Sequence, residues 1–276
     1  MDNQRILVDV PALAGELARG PASAVLDVRW TMAGPDRAGY AAGHLPGAAF
    51  LDLDAALAGP PGAGGRHPLP DPGPLQDALR RAGVRAGQPV VVYDGGAQLG
   101  VAARAWWVLR WAGLADVRVL DGGYPAWVAA GEPVETGESE PGPGDVEVHP
   151  GFMRVLDAAG AAALAADGAL VDARQAERFR GEKEPIDPVA GHIPGAVNQP
   201  VSETVDTDGR LLPADELRTR FEALGLPEQV GAYCGSGIMA AQTVLALTVA
   251  GYDPALYVGS WSHWITDRNR QVATGD

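Results

Sequence analysis

Short apolar runs and longer amphipathic stretches take turns along this chain, and their order predicts its architecture. Residues 24–28, 90–93 and 117–120 are nearly unbroken apolar runs of strand length, and 229–233 forms another in the second half. Around them, residues 75–83, 101–112, 214–225 and 238–250 carry apolar positions at helical spacing. A strand that is apolar on both faces has to be covered on both, which favours parallel strands flanked by helices. The pattern predicts an α/β protein whose ligands gather where the strand ends open into loops.

The pattern also occurs twice. Val-Leu-Asp-Val-Arg at 25–29 returns as Leu-Val-Asp-Ala-Arg at 170–174, and Gly-His-Leu-Pro-Gly-Ala at 43–48 as Gly-His-Ile-Pro-Gly-Ala at 191–196. Asp-Gly-Gly-Tyr-Pro-Ala-Trp at 121–127 parallels Val-Gly-Ser-Trp-Ser-His-Trp at 258–264. Residues 136–145 lack apolar periodicity and are rich in Gly, Pro and Glu, as a linker would be. Two homologous domains are expected, at 1–135 and 150–276, joined by residues 136–149.

Composition narrows the classes. The chain has 276 residues, 46% of them hydrophobic, so each half can build its own core. A net charge of -14 disfavours nucleic acid, whose binding draws on cationic contacts to phosphate. No run is long and apolar enough for a membrane span, and the opening MDNQRILVDV does not read as a secretory leader. Cys234 is the only cysteine, which excludes an intrachain disulfide and a four-cysteine zinc site. No His/Cys cluster has metal-ligand spacing, so neither a metal nor an organic cofactor is implied. A protein of the reducing cytoplasm is expected.

A duplicated chain is its own control. Features present in both halves read as scaffold, and features confined to one half are candidates for chemistry. Asp27/Arg29 and Asp172/Arg174 recur and read as structural ion pairs; His44 and His192 recur and read as scaffold. The halves part after the strand at 90–93 and its counterpart at 229–233. The first continues with Asp94-Gly95-Gly96, the second with Cys234-Gly235-Ser236-Gly237-Ile238-Met239. Cys234 is placed on a Gly-rich loop leading into a helix. Backbone N–H groups can converge there on an anion, and the helix dipole favours a thiolate. The bland alternative is a small buried hydrophobe, but the loop position and the aspartate in the other half favour a nucleophile.

With these residues in view, the sequence resembles the tandem-domain rhodanese family of thiosulfate and 3-mercaptopyruvate sulfurtransferases. Tyr40, His44-Leu45-Pro46-Gly47-Ala48 and Phe50 resemble the family's amino-terminal signature, and residues 258–264 its carboxy-terminal one, with His263 where a glutamate is usual. The resemblance implies two rhodanese-like domains, each a parallel β-sheet flanked by helices. The first would be inactive and the second would bear the nucleophile. The loop, with Gly235, Gly237, Ile238 and Met239, is similar to the mercaptopyruvate type, in which a threonine stands at the Met239 position. The family also implies a proton relay of Ser236, His67 and Asp54, drawn from both halves of the sequence. Arg178 matches one of two arginines that hold the donor carboxylate. The second falls near Ile186 in a shortened loop, which leaves Arg180 as a candidate.

The expected chemistry is double displacement. Cys234 takes a sulfur from 3-mercaptopyruvate and passes it to cyanide or to a thiol such as reduced thioredoxin. Thiosulfate as donor and a non-catalytic persulfide carrier remain alternatives. A cysteine phosphatase would need an arginine six residues after the cysteine, where Ala240 stands.

Overall fold

The computed structural model describes residues 6–20, 22–96 and 98–276. Residues 1–5, part of the opening read for a leader, lie outside the described residues, as do Pro21 and Ala97. The chain divides into two compact units.

The first unit holds the described residues through Gly59, then Leu69–Met153 and Asp206–Leu211. Its strands are β1 (Leu7–Val8), β2 (Ala24–Asp27), β3 (Trp30–Thr31), β4 (Gly34–Pro35), β5 (Ala49–Phe50), β6 (Val90–Tyr93) and β7 (Val117–Leu120). Its helices are α1 (Val10–Ala18), α2 (Arg37–Ala42), α3 (Pro72–Arg81), α4 (Gly100–Trp111) and α5 (Gly123–Ala129). A single π-helical turn spans Leu53–Leu57. The parallel sheet runs β1-β7-β6-β2-β5, with β3 and β4 as a small antiparallel hairpin. Every residue of β6 is buried, which explains why its sequence, Val-Val-Val-Tyr, does not alternate.

The second unit holds Pro60–Pro68, Arg154–Val205 and Leu212–Asp276. It contains α6 (Ala158–Ala166), β8 (Leu170–Asp172), α7 (Ala176–Phe179), β9 (Val197–Asn198), α8 (Ala214–Ala223), β10 (Gln229–Tyr233), α9 (Met239–Val249), β11 (Asp253–Leu256) and α10 (Ser260–Trp264). Its parallel sheet runs β11-β10-β8-β9, the order β7-β6-β2-β5 over again. The counterpart of β1 is reduced to one parallel bridge, Val155 with Leu256. Among the described residues no helix is long and apolar enough to cross a membrane.

The repeated motifs make repeated packing. Tyr93 Oη accepts from Leu45 N–H in one unit, and Tyr233 Oη from Ile193 N–H in the other. His44 Nδ1 meets Tyr40 O and His192 Nδ1 meets Phe179 O, each histidine stacked on the ring of that same residue. Asp27 and Asp172 each accept from the backbone N–H and guanidinium of the arginine two residues on. Those arginines then cap the carbonyls of Gly43 and Gly191. The pairs and the histidines are scaffold.

Two segments depart from the sequence order. Pro60–Pro68 belongs to the second unit, and Asp206–Leu211 belongs to the first. The segment expected to be a linker is fastened to the first unit: Arg37 forks onto Glu138, Gly144 N–H donates to Arg80 O, and Val146 is buried.

Candidate active site

β10 ends at Tyr233 and the chain enters a loop that reaches α9 within five residues. Cys234 opens it and is 3% exposed. An inert thiol would be as buried, but this one is met by a polar group. Gly237 N–H donates to Cys234 Sγ at 3.1 Å. The turn that aims this N–H back needs φ +85° at Gly237, a conformation that favours glycine. A donor fixed on sulfur stabilises the thiolate and any anion that succeeds it.

The backbone below the sulfur is held by the start of α10. Cys234 N–H donates to Ser260 Oγ (3.1 Å), which donates in turn to Tyr257 O (2.9 Å). Trp261 N–H binds Cys234 O, and Ser262 N–H binds Gly235 O. Ser260 takes φ +53°, unusual for a non-glycine residue, and its hydroxyl gains two buried partners there. His263, the departure from the family signature, shares a 2.8 Å hydrogen bond between Nδ1 and Tyr257 Oη. Burial, assisted by Arg270, pushes the His263 ring below the usual histidine value, so at neutral pH it is uncharged and fit to accept from the tyrosine.

Cations approach the loop over Gly235. A methyl group added there would lie 2.9 Å from Arg66 Nη2 and 3.6 Å from Arg178 Nη1. Arg178 forks onto Glu184, through Nε (3.1 Å) and Nη2 (2.6 Å), and Nη2 also reaches Asp187 Oδ2 (3.2 Å). Glu184 is held below the ordinary carboxylate value: burial alone would raise it, but Arg178 and the N–H groups of Asp187 and Ile186 outweigh burial. Arg66 pairs with the other oxygen of Asp187.

The expected site residues therefore fall into groups. Cys234, Gly235, Gly237 and Arg178 come together. Ser236 lies half-buried on the same loop, between Gly235 and Gly237; Ile238 is buried and Met239 half-buried where α9 begins. His67 belongs to the second unit with the Pro60–Pro68 segment. Asp54 belongs to the first, where its Oδ2 accepts from Trp30 Nε1 at 3.1 Å. Arg180 forks onto Glu182 at the surface and is not among the groups nearest Gly235. Sequence reasoning missed Arg66. No signal of a function was available, because Gly65-Arg66 recurs as Gly209-Arg210 and a repeated feature reads as scaffold.

The family model for the rhodanese-like domain matches twice, over residues 10–130 and 157–267. The chain belongs to the rhodanese family. Relatives of this rhodanese span nearly its whole length. A Pseudomonas aeruginosa protein named as a 3-mercaptopyruvate sulfurtransferase is 48% identical, over 98% of each chain. A Mycobacterium tuberculosis protein, SseB, which carries the name thiosulfate sulfurtransferase, is 46% identical over the same shares. The crystal structure of SseA from Escherichia coli, a 3-mercaptopyruvate sulfotransferase, matches with TM-score 0.80 and 32% identity, covering 93% of this chain and 98% of that one. This rhodanese is a sulfurtransferase, which takes sulfur from a small donor and gives it to an acceptor.

Proposed function

We propose that the donor is 3-mercaptopyruvate and that Cys234 carries its sulfur, in the cytoplasm, to a thiol such as reduced thioredoxin or, in an assay, to cyanide. The observation that carries this reading is the Gly237 N–H on Cys234 Sγ beside the Arg178 guanidinium. The Cys234 thiolate attacks the donor's sulfur, an S–S bond forms, and the C–S bond breaks toward carbon. Pyruvate leaves as its enolate and takes up a proton by way of Ser236 and His67. The persulfide left on Cys234 is anionic and remains under the Gly237 N–H. An incoming thiolate or cyanide then attacks the outer sulfur and releases the cysteine thiolate. The family resemblance adds Asp54 to this relay, and Asp54→Asn tests its share.

Charge supports 3-mercaptopyruvate over thiosulfate. Arg66 and Arg178 over the loop face Glu184 and Asp187, two cations against two carboxylates, which suits a monoanionic carboxylate better than dianionic thiosulfate. The loop itself carries no cation, and the chain's one lysine is Lys183. Intact-mass measurement after incubation with 3-mercaptopyruvate should show one added sulfur on the wild type and none on Cys234→Ser. A kcat/KM that strongly prefers thiosulfate would overturn the donor assignment, and loading equal on both proteins would overturn the nucleophile.

A further inference from the structure

The turn at Pro60–Pro68 sends one charged side chain to the cysteine loop, and its construction looks purposeful. Gly62 and Gly65 exchange both backbone hydrogen bonds at 3.0 Å, closing a tight turn. Gly65 sits at φ +102°, where a Cβ would come within 2.7 Å of Gly259 O and 2.9 Å of Ser262 Oγ. Glycine alone permits so close an approach. The next N–H, of Arg66, donates to Ser262 Oγ at 3.1 Å. Ser262 is also the residue whose N–H holds Gly235 O, so one serine ties both the Arg66 backbone and the cysteine loop.

The side chain then completes a symmetrical arrangement. Asp187, with its carboxylate 2% exposed, binds Arg66 through one oxygen and Arg178 through the other. The carboxylate fixes both guanidiniums and leaves each with N–H groups to spare. Arg66 Nη2 and Arg178 Nη1 make no hydrogen bond to a described residue, and these two nitrogens are among the groups nearest Gly235. Two unspent guanidinium donors, both held over the residue next to the nucleophile, suit the charge and hydrogen-bonding of a carboxylate.

We propose that Arg66 is a substrate-binding residue that, with Arg178, clasps the carboxylate of the sulfur donor. The assignment rests on 3-mercaptopyruvate as donor. Asp187 is its positioning residue: it orients both guanidiniums without touching the donor.

The test sets two donors against two arginines. The donors are 3-mercaptopyruvate and mercaptoacetone, which keeps the thiol and ketone and lacks the carboxylate. Arg66→Gln should raise KM for 3-mercaptopyruvate about 10- to 100-fold, the worth of a charge-assisted hydrogen bond, with kcat within about threefold. The kcat/KM for mercaptoacetone should hold within about threefold of wild type, a result that a merely structural role would not give. Arg66→Lys keeps the charge without the fork and should fall between; it also serves if the glutamine variant fails to fold. Wild-type use of 3-mercaptopyruvate with an Arg66→Gln KM within threefold of wild type overturns the assignment and spares the donor reading. Equal losses on both donors overturn it as well. A wild type that takes no sulfur from 3-mercaptopyruvate overturns the donor reading itself.

Discussion

The loops after β6 and β10 are the same loop put to opposite uses. In the first unit Asp94 fills the position of Cys234 and its carboxylate closes the loop. One oxygen accepts from Val101 N–H (3.1 Å) and Ala102 N–H (2.9 Å), the first turn of α4, and the other lies 3.4 Å from Gly96 N. In the second unit Cys234 Sγ takes a single N–H, from Gly237. What covers the loops differs as well. Over Gly95 lies the methylene stem of Arg29, where a Cβ would meet Cδ at 2.7 Å; over Gly235 lie guanidinium heads. A helix start attracts an anion in either case. The first unit has a permanent one built in. The second reserves the place for one that comes and goes with turnover.

The strongest way to break this comparison is to exchange the two residues. Cys234→Asp should lower turnover more than about 1,000-fold, as loss of a covalent nucleophile does. Adding Asp94→Cys to that variant should restore nothing, because among the described residues only the stem of Arg29, and no guanidinium head, lies over Gly95. Sulfur found on the new cysteine by intact mass would show that the loops are interchangeable after all.

A smaller effect sharpens the claim about Asp94. Burial pushes its carboxyl from 3.8 up to about 6, against the pull of the Ala102, Gly96 and Val101 N–H groups. The folded protein therefore binds this proton more tightly than the unfolded chain, and the corresponding stability is lost as pH rises through that window. Between pH 4 and 6.5 the wild type should lose stability relative to Asp94→Asn, on the order of 2 kcal/mol. Urea unfolding across that range reads it, and parallel curves for the two proteins would contradict it.

The smallest expected effect concerns what supports each loop from below. Gly123 takes φ +57°, and a Cβ there would come within 2.6 Å of Asp94 O; Ser260 takes nearly the same conformation at φ +53°. The serine gains an acceptor for Cys234 N–H in return. Ser260→Ala keeps the strain and loses the acceptor, whereas Ser260→Gly loses the acceptor and relieves the strain. The glycine variant should therefore be the more stable by about 1 kcal/mol, read by urea unfolding. An alanine variant as stable as the glycine one would show that this backbone carries no strain.

How much of this was legible beforehand varies with the range of the interactions. β7 and β10 run as the apolar runs at 117–120 and 229–233 suggest, because strands buried over most of their length leave a nearly unbroken signal. The helix expected from 238 starts one residue later, at Met239, since the turn at Gly237 precedes it. Cys234 stood out because the repeat supplies a comparison residue, Asp94. The missing β1 counterpart was not visible, since a two-residue edge strand hardly marks a sequence. Arg66 was hidden for another reason. Its neighbours spell a Gly/Pro turn, and only packing against Ser262 and Asp187, far along the chain, gives it a direction.

The exchange of Pro60–Pro68 for Asp206–Leu211 bears on how such a gene can change. A fragment beginning at residue 150 keeps Cys234 and leaves behind both Arg66 and His67. Neither half of the sequence holds a whole compact unit, because each encodes a piece of the other. The half with no thiol supplies the second unit with the segment that carries Arg66 and His67.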